Sequence, residues 1–138
     1  MPNGNILAIC SETKTQQEGI SAGKQNLNGS FTLDMLIEIE PVGDSDANIV
    51  WEWHFWDHLI QDVSLDYENY GIISNNPQLL DINSNSSGGG GGNPGVGDWN
   101  HLNCVSYKYP DPFLILTMTP SLFLVVLGYF FDITFNWV

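Results

Sequence analysis

Two stretches of the chain alternate apolar and polar residues with the period of a β-strand. In MLIEIEP, Met35 to Pro41, Met35, Ile37 and Ile39 fall on one side and Glu38 and Glu40 on the other, with Leu36 apart. In IVWEWHF, Ile49 to Phe55, Trp51, Trp53 and Phe55 share one side, predicted to be buried; Glu52 and His54 share the opposite one. The turn-forming GDSDAN lies between them, so the two runs are predicted to pair as an antiparallel hairpin. NILAIC, Asn5 to Cys10, is a further strand. The Asn-Gly of PNGN before it reads as a hairpin tip whose first strand is missing.

The rest of the pattern is less regular. Ser11 to Ser30 has no apolar period and is predicted as a loop or insertion. WDHLIQD, Trp56 to Asp62, leaves the strand pattern, with Asp57 placed to cap a short helical turn. NNPQLLDIN, Asn75 to Asn83, predicts a second short helix capped by Asn76 with Pro77 at its first position. SNSSGGGGGNPGVG, Ser84 to Gly97, reads as a flexible loop. HLNCVSYKY and FLILTM then form a second predicted hairpin, His101–Tyr109 with Phe113–Met118, around PDP. Short antiparallel strands joined by long loops predict a mainly β fold, a propeller or a sandwich. From Pro112 to Phe131 the chain carries no charge over 20 residues. As a helix this apolar C-terminal tail would span roughly 30 Å, so membrane contact through 112–131 stays open. Pro120 in its middle and the lack of a following Lys or Arg weigh against a spanning helix.

Charge narrows the partners. The chain of 138 residues has 16 acidic residues, three lysines and no arginine, for a formal net charge of −13. No nucleic-acid partner is expected, because phosphate neutralisation needs a basic surface. The missing guanidinium is awkward for an enzyme of anionic substrates. Cys10 and Cys104 are expected to be small buried apolar residues rather than a disulfide framework. MPNGNILAIC has neither the basic n-region nor the long apolar core of a secretory signal.

The candidate chemistry is sparse. His54 and His58, four apart, have no third ligand to make a zinc site. Asp81, Asn83 and Asn85 open like a calcium loop, but Ser86 and Gly92 stand where glycine and glutamate are needed. The glycine run is followed by no Lys-Ser/Thr, so it is no phosphate loop. No metal and no cofactor are expected. Asn28 and Asn85 head glycosylation sequons, which matter only in an exported chain. Trp56, Asp57 and His58 make either a pocket element at a strand end or an exposed loop start. In GDWNHLNCVSY, strand alternation puts His101 and Asn103 on one face and Leu102 and Cys104 on the buried one. Two polar groups so placed are compatible with hydrogen bonding to an oxyanion, with Trp99 or Trp56 lining the concavity.

Several blocks together resemble a known family. PNGNILAI, MLIEIEPVG, ANIVWEWHFWDHLIQD, YGIISNNPQLLDIN and GDWNHLNCVSY are similar, in this order, to the arylsulfate sulfotransferases that work without a nucleotide sulfate donor. The resemblance covers residues 1–111. It implies a six-bladed β-propeller with the active site at its central channel, of which this chain would hold pieces of about two blades. It also implies sulfuryl transfer from a phenolic sulfate ester to a phenol acceptor, through a histidine that is transiently sulfated. His101 and Asn103 match the family's sulfate-contacting His-x-Asn pair. His58 matches a further pocket position, which Asp57 would orient.

The departures also carry meaning. Near the place of a family arginine this chain has Thr119, and no histidine follows His101 to act as the nucleophile. The tail, 112–138, leaves the family pattern. The expectation is therefore a partial propeller over 1–111, a divergent tail, and a sulfotransferase fragment that has lost activity. The competing expectation is a membrane-anchored or secreted binding module for a phenol or glycan.

Overall fold

A computed structural model describes residues 1–84, 97–100, 102–108, 113–118 and 122–127. Its elements in chain order are β1 (Ile6–Lys14), α1 (Gln16–Ser21), β2 (Phe31–Val42), β3 (Asp46–His54), β4 (Leu59–Ile60), β5 (Leu80–Asp81), β6 (Gly97–Asp98), β7 (Leu102–Lys108), β8 (Phe113–Met118) and β9 (Leu122–Leu127). The fold is mainly β and antiparallel, without a closed barrel among the described residues, which fits a partial propeller.

The first predicted hairpin is present. β2 is central, with β1 on one side and β3 on the other, both antiparallel. Leu36 stands opposite both Ile9 and Trp53, and these three rows stack in the core. Gly43 makes the turn between β2 and β3 with a φ of +63°, a conformation that favours glycine. The short β6 adds to β2 in parallel at Phe31 and Thr32, which brings the chain after the glycine run back to the start of β2. The second predicted hairpin is present as well: β7 pairs with β8 and β8 with β9.

Burial departs from simple alternation. Leu36, set apart in the sequence pattern, is fully buried, as are Leu33 and Phe55. Glu38, on the polar side of the alternation, is only 7% exposed. Its Oε1 accepts bonds from Asn3 Nδ2 (3.0 Å) and Asn5 Nδ2 (2.6 Å), which offset the desolvation of the carboxylate. Trp51, expected in the core beside Trp53, is 37% exposed. β3 has β2 on one side and is the last strand on that path of the sheet, so its outer positions lack cover. Phe55 keeps its buried place, although it has left the strand and opens a 3-10 turn, Phe55–His58.

Three local expectations are corrected. Ser11 to Ser30 is not all loop: β1 continues to Lys14 and α1 follows. Thr15 Oγ1 accepts from Glu18 N–H at 3.2 Å while Glu18 Oε2 accepts from Thr15 N–H at 2.7 Å, a reciprocal capping box. Asp57 lies inside the 3-10 turn and does not cap it; His54 holds the cap position without a side-chain bond. Asn76 ends a short 3-10 turn, Ile73–Asn75, instead of starting a helix. Its Nδ2 donates back to Ile72 O at 3.0 Å, and the chain then enters β5.

The apolar tail folds differently from a spanning helix. No described helix is long and apolar enough to cross a membrane. The described residues of 112–131 lie in β8 and β9, joined to β7. Both cysteines are free; Cys10 is half-buried and Cys104 exposed, so neither is the buried apolar residue expected.

Candidate functional site

Two polar neighbourhoods flank the aromatic core. The first begins where β3 ends. His58 closes the 3-10 turn, which folds its ring back over the strand it follows. The imidazole stacks on Trp53 with centroids 4.6 Å apart and planes at 17°. Trp53 in turn meets Phe55 edge-on, also at 4.6 Å. Burial under this cover pushes the His58 pKa below its ordinary value, and the Asp57 carboxylate acts in the opposite direction. His58 is therefore held toward the neutral imidazole, which can accept a proton at one ring nitrogen and donate a hydrogen bond from the other. The indole N–H of Trp53 is buried without a hydrogen-bond partner.

His54 does not join His58. It lies between two carboxylates, with Nδ1 at 3.1 Å from Glu12 Oε1 and Nε2 at 3.3 Å from Glu52 Oε2. Burial alone would depress its pKa; the bonds to Glu12 and Glu52, with the charges of Glu12 and Asp57, raise it instead. Lys14 completes this group, 2.6 Å from Glu12 Oε2 and 4.7 Å from the centre of the half-buried Trp56 ring. Among the described residues no cluster of three or more His, Cys, Asp or Glu side chains is arranged to hold a metal.

The second neighbourhood is the bend that leads into β7. Asp34 of β2 grips it twice. The Asp34 N–H donates to Asn100 Oδ1 at 3.0 Å, and the Leu102 N–H donates to Asp34 Oδ2. Asp34 and Asn100 are 5% and 2% exposed, so these bonds run in a low-dielectric interior where they are strong. They anchor the residues on either side of position 101; His101 itself lies outside the described residues. Trp99 is buried and packs in the core, and its backbone N–H donates to Thr32 O at 3.0 Å. Lys24 approaches the Trp99 ring to 5.2 Å and donates to Ile82 O at 2.6 Å.

Asn103 is exposed on β7. The ladder with β8 slips here: Leu102 faces Met118 while Cys104 faces Thr117, which leaves Asn103 as the extra residue of a bulge. The bulge explains why alternation fails at this point. Leu102 is 5% exposed, as predicted, but Cys104 is exposed rather than buried. Asn85 also lies outside the described residues. Asn83 and Asp81 serve the loop itself: Asp81 Oδ1 accepts from Asn83 N at 2.8 Å, and Asn83 Nδ2 donates to Gly23 O at 2.9 Å.

Of the predicted site residues, His58 thus sits on the aromatic core and Asn103 on the bulge of β7. Sequence reasoning missed Asp34 and Lys24. The signal for Asp34 was a charge inside the apolar run FTLDMLI; for Lys24 it was rarity, since it is one of only three basic side chains.

A protein-family model for Arylsulfotransferase (ASST) matches residues 1–129, past the last of the quoted sequence blocks. No curated protein and no solved structure matches the chain significantly. The match covers nearly the whole chain and contains both polar neighbourhoods, and on that ground the chain belongs to the arylsulfotransferase family.

Proposed function

We propose that the chain carries the sulfuryl-binding part of an arylsulfotransferase. Its substrates in this reading are a phenolic sulfate ester as donor and a phenol as acceptor. The chemistry lies within residues 1–111. His101 and Asn103 donate hydrogen bonds to the sulfuryl oxygens, where negative charge builds as the phenolate departs. His58 contributes a neutral imidazole whose ring N–H hydrogen-bonds the leaving phenolate oxygen, with Asp57 orienting the ring. In the complete reaction a histidine attacks sulfur, the S–O bond to the phenol breaks, and the sulfuryl group then passes from nitrogen to the acceptor's oxygen.

The observation that carries this reading is the family match over the block that runs through Trp99, Asn100, His101 and Asn103. The double grip of Asp34 on Asn100 and Leu102 supports it, because an oxyanion donor works only if its backbone is held still. This chain has no arginine and no histidine after His101, so it binds aryl sulfate without turning it over. The test is a chromogenic assay with para-nitrophenyl sulfate and a phenol acceptor. The expected result is no release of nitrophenolate above background. Robust turnover by the purified chain would overturn the inactivity and move the nucleophile's role to His58 or His101.

A further inference from the structure

Two side-chain donors at the entrance to β7 have no acceptor, and a third, beside one of them, has a single one. Trp99 Nε1 and Asn100 Nδ2 are buried without hydrogen-bond partners, in residues only 7% and 2% exposed. They come from adjacent positions of one bend. The third donor is the Lys24 ammonium, which lies over the Trp99 ring at 5.2 Å. Among the described residues it donates one bond, to Ile82 O at 2.6 Å, and so keeps N–H groups in hand. Each buried donor without an acceptor is a cost to the fold. The Trp99 ring lies beside a cation, in a chain of net charge −13 with three lysines, and a negatively charged acceptor would suit the ammonium and the orphaned donors alike.

We propose that Lys24, Trp99 and Asn100 form an oxyanion subsite that takes an oxygen of the aryl sulfate's sulfuryl group. The proposal rests on the sulfuryl-binding reading of the neighbouring His101 and Asn103, and it adds the positive charge which that pair lacks. The Asn100 amide is already oriented, because its Oδ1 is held by the Asp34 N–H; that leaves Nδ2 to serve a ligand. Lys24 is half-buried. Burial lowers the ammonium's pKa and the Asp81 carboxylate raises it, so an arriving anion would replace lost solvation. A lysine serves here as a point charge, without the bidentate geometry of a guanidinium.

The test is a titration of the 15N-labelled full chain with para-nitrophenyl sulfate at low salt. The indole N–H of Trp99 and the side-chain amide of Asn100 should move downfield and saturate together. Para-nitrophenol, which lacks the sulfuryl group, should leave both in place. Lys24→Met should weaken the binding by about tenfold or more, while Lys24→Arg should retain most of it. If the sulfate ester shifts His101 and Asn103 but leaves Trp99 and Asn100 unmoved, the subsite is wrong and the sulfuryl-binding reading stands. If Trp99 and Asn100 respond alone, the subsite stands and that reading falls. If neither pair responds, or if para-nitrophenol shifts Trp99 and Asn100 as far as the ester does, the subsite is refuted. The wild-type resonances decide the question even if Lys24→Met fails to fold.

Discussion

The His58 ring lies flat against the Trp53 indole, 4.6 Å away and inclined by 17°. One contact thereby joins a core aromatic of β3 to a candidate catalytic histidine. It fixes the ring's plane and shields it from water. The first prediction follows from that shielding. Trp53→Leu should let water reach the imidazole, so the His58 pKa should rise toward its ordinary value. A histidine NMR titration measures it, with Trp53→Phe expected to shift it less. Trp53→Ala should also cost about 3–5 kcal/mol of stability, as loss of a buried aromatic does.

A second prediction concerns pH. The folded-state pKa of His54 is raised, so its stabilising contribution is complete below the ordinary histidine value and is lost as pH rises through the folded value. His58 has the opposite sign: its pKa is lowered by burial, so its contribution is present above the ordinary value and is lost as pH falls. Urea denaturation across pH 5–8 should therefore respond in opposite directions to His54→Gln and His58→Gln. Glu12→Gln should lower the His54 pKa, because it removes the carboxylate charge and leaves only a weaker, neutral acceptor.

Asp34 gives a third prediction. Asp34→Ala removes the acceptor of the Leu102 N–H, a bond to a charged group worth about 1.5–3 kcal/mol. Hydrogen exchange should show the Leu102 amide losing protection while the β1–β2 ladder keeps it. Asp34→Asn, which retains an acceptor oxygen, should lose less.

The fourth prediction lies in α1. Thr15→Ala removes the side-chain half of the capping box and should cost about 1 kcal/mol. Gly19 in the same helix sits against Leu27 and Phe31 with no room for a Cβ, so Gly19→Ala should cost about 1–3 kcal/mol through overpacking. Thermal or urea unfolding measures both.

Both hairpins were legible in the sequence because alternation and a short polar turn are local signals. The placement of Glu38 was not. Its burial depends on Asn3 and Asn5, which come within reach of it only once β1 has paired with β2. Trp51 and Trp53 read alike in the pattern, yet the position of β3 at the end of its sheet path separates them. The capping box Thr15–Glu18 was readable as T-x-x-E; the polar composition around it hid the helix. In the site, His58 and Asn103 were found through family blocks. The bulge that turns out Cys104 is invisible to a period-two reading, since it is an offset between two strands. Asp34 and Lys24 act over long sequence separations, which no local pattern records.

The central claim is that the bend and bulge leading into β7 hold a sulfuryl group through His101 and Asn103. The most direct test is equilibrium binding of para-nitrophenyl sulfate to the intact chain, compared with His101→Ala and Asn103→Ala. The predicted result is saturable binding that each substitution weakens by about tenfold or more, with the β-sheet signal unchanged. Equal affinity in all three proteins, or no saturable binding to the wild-type chain, would contradict it.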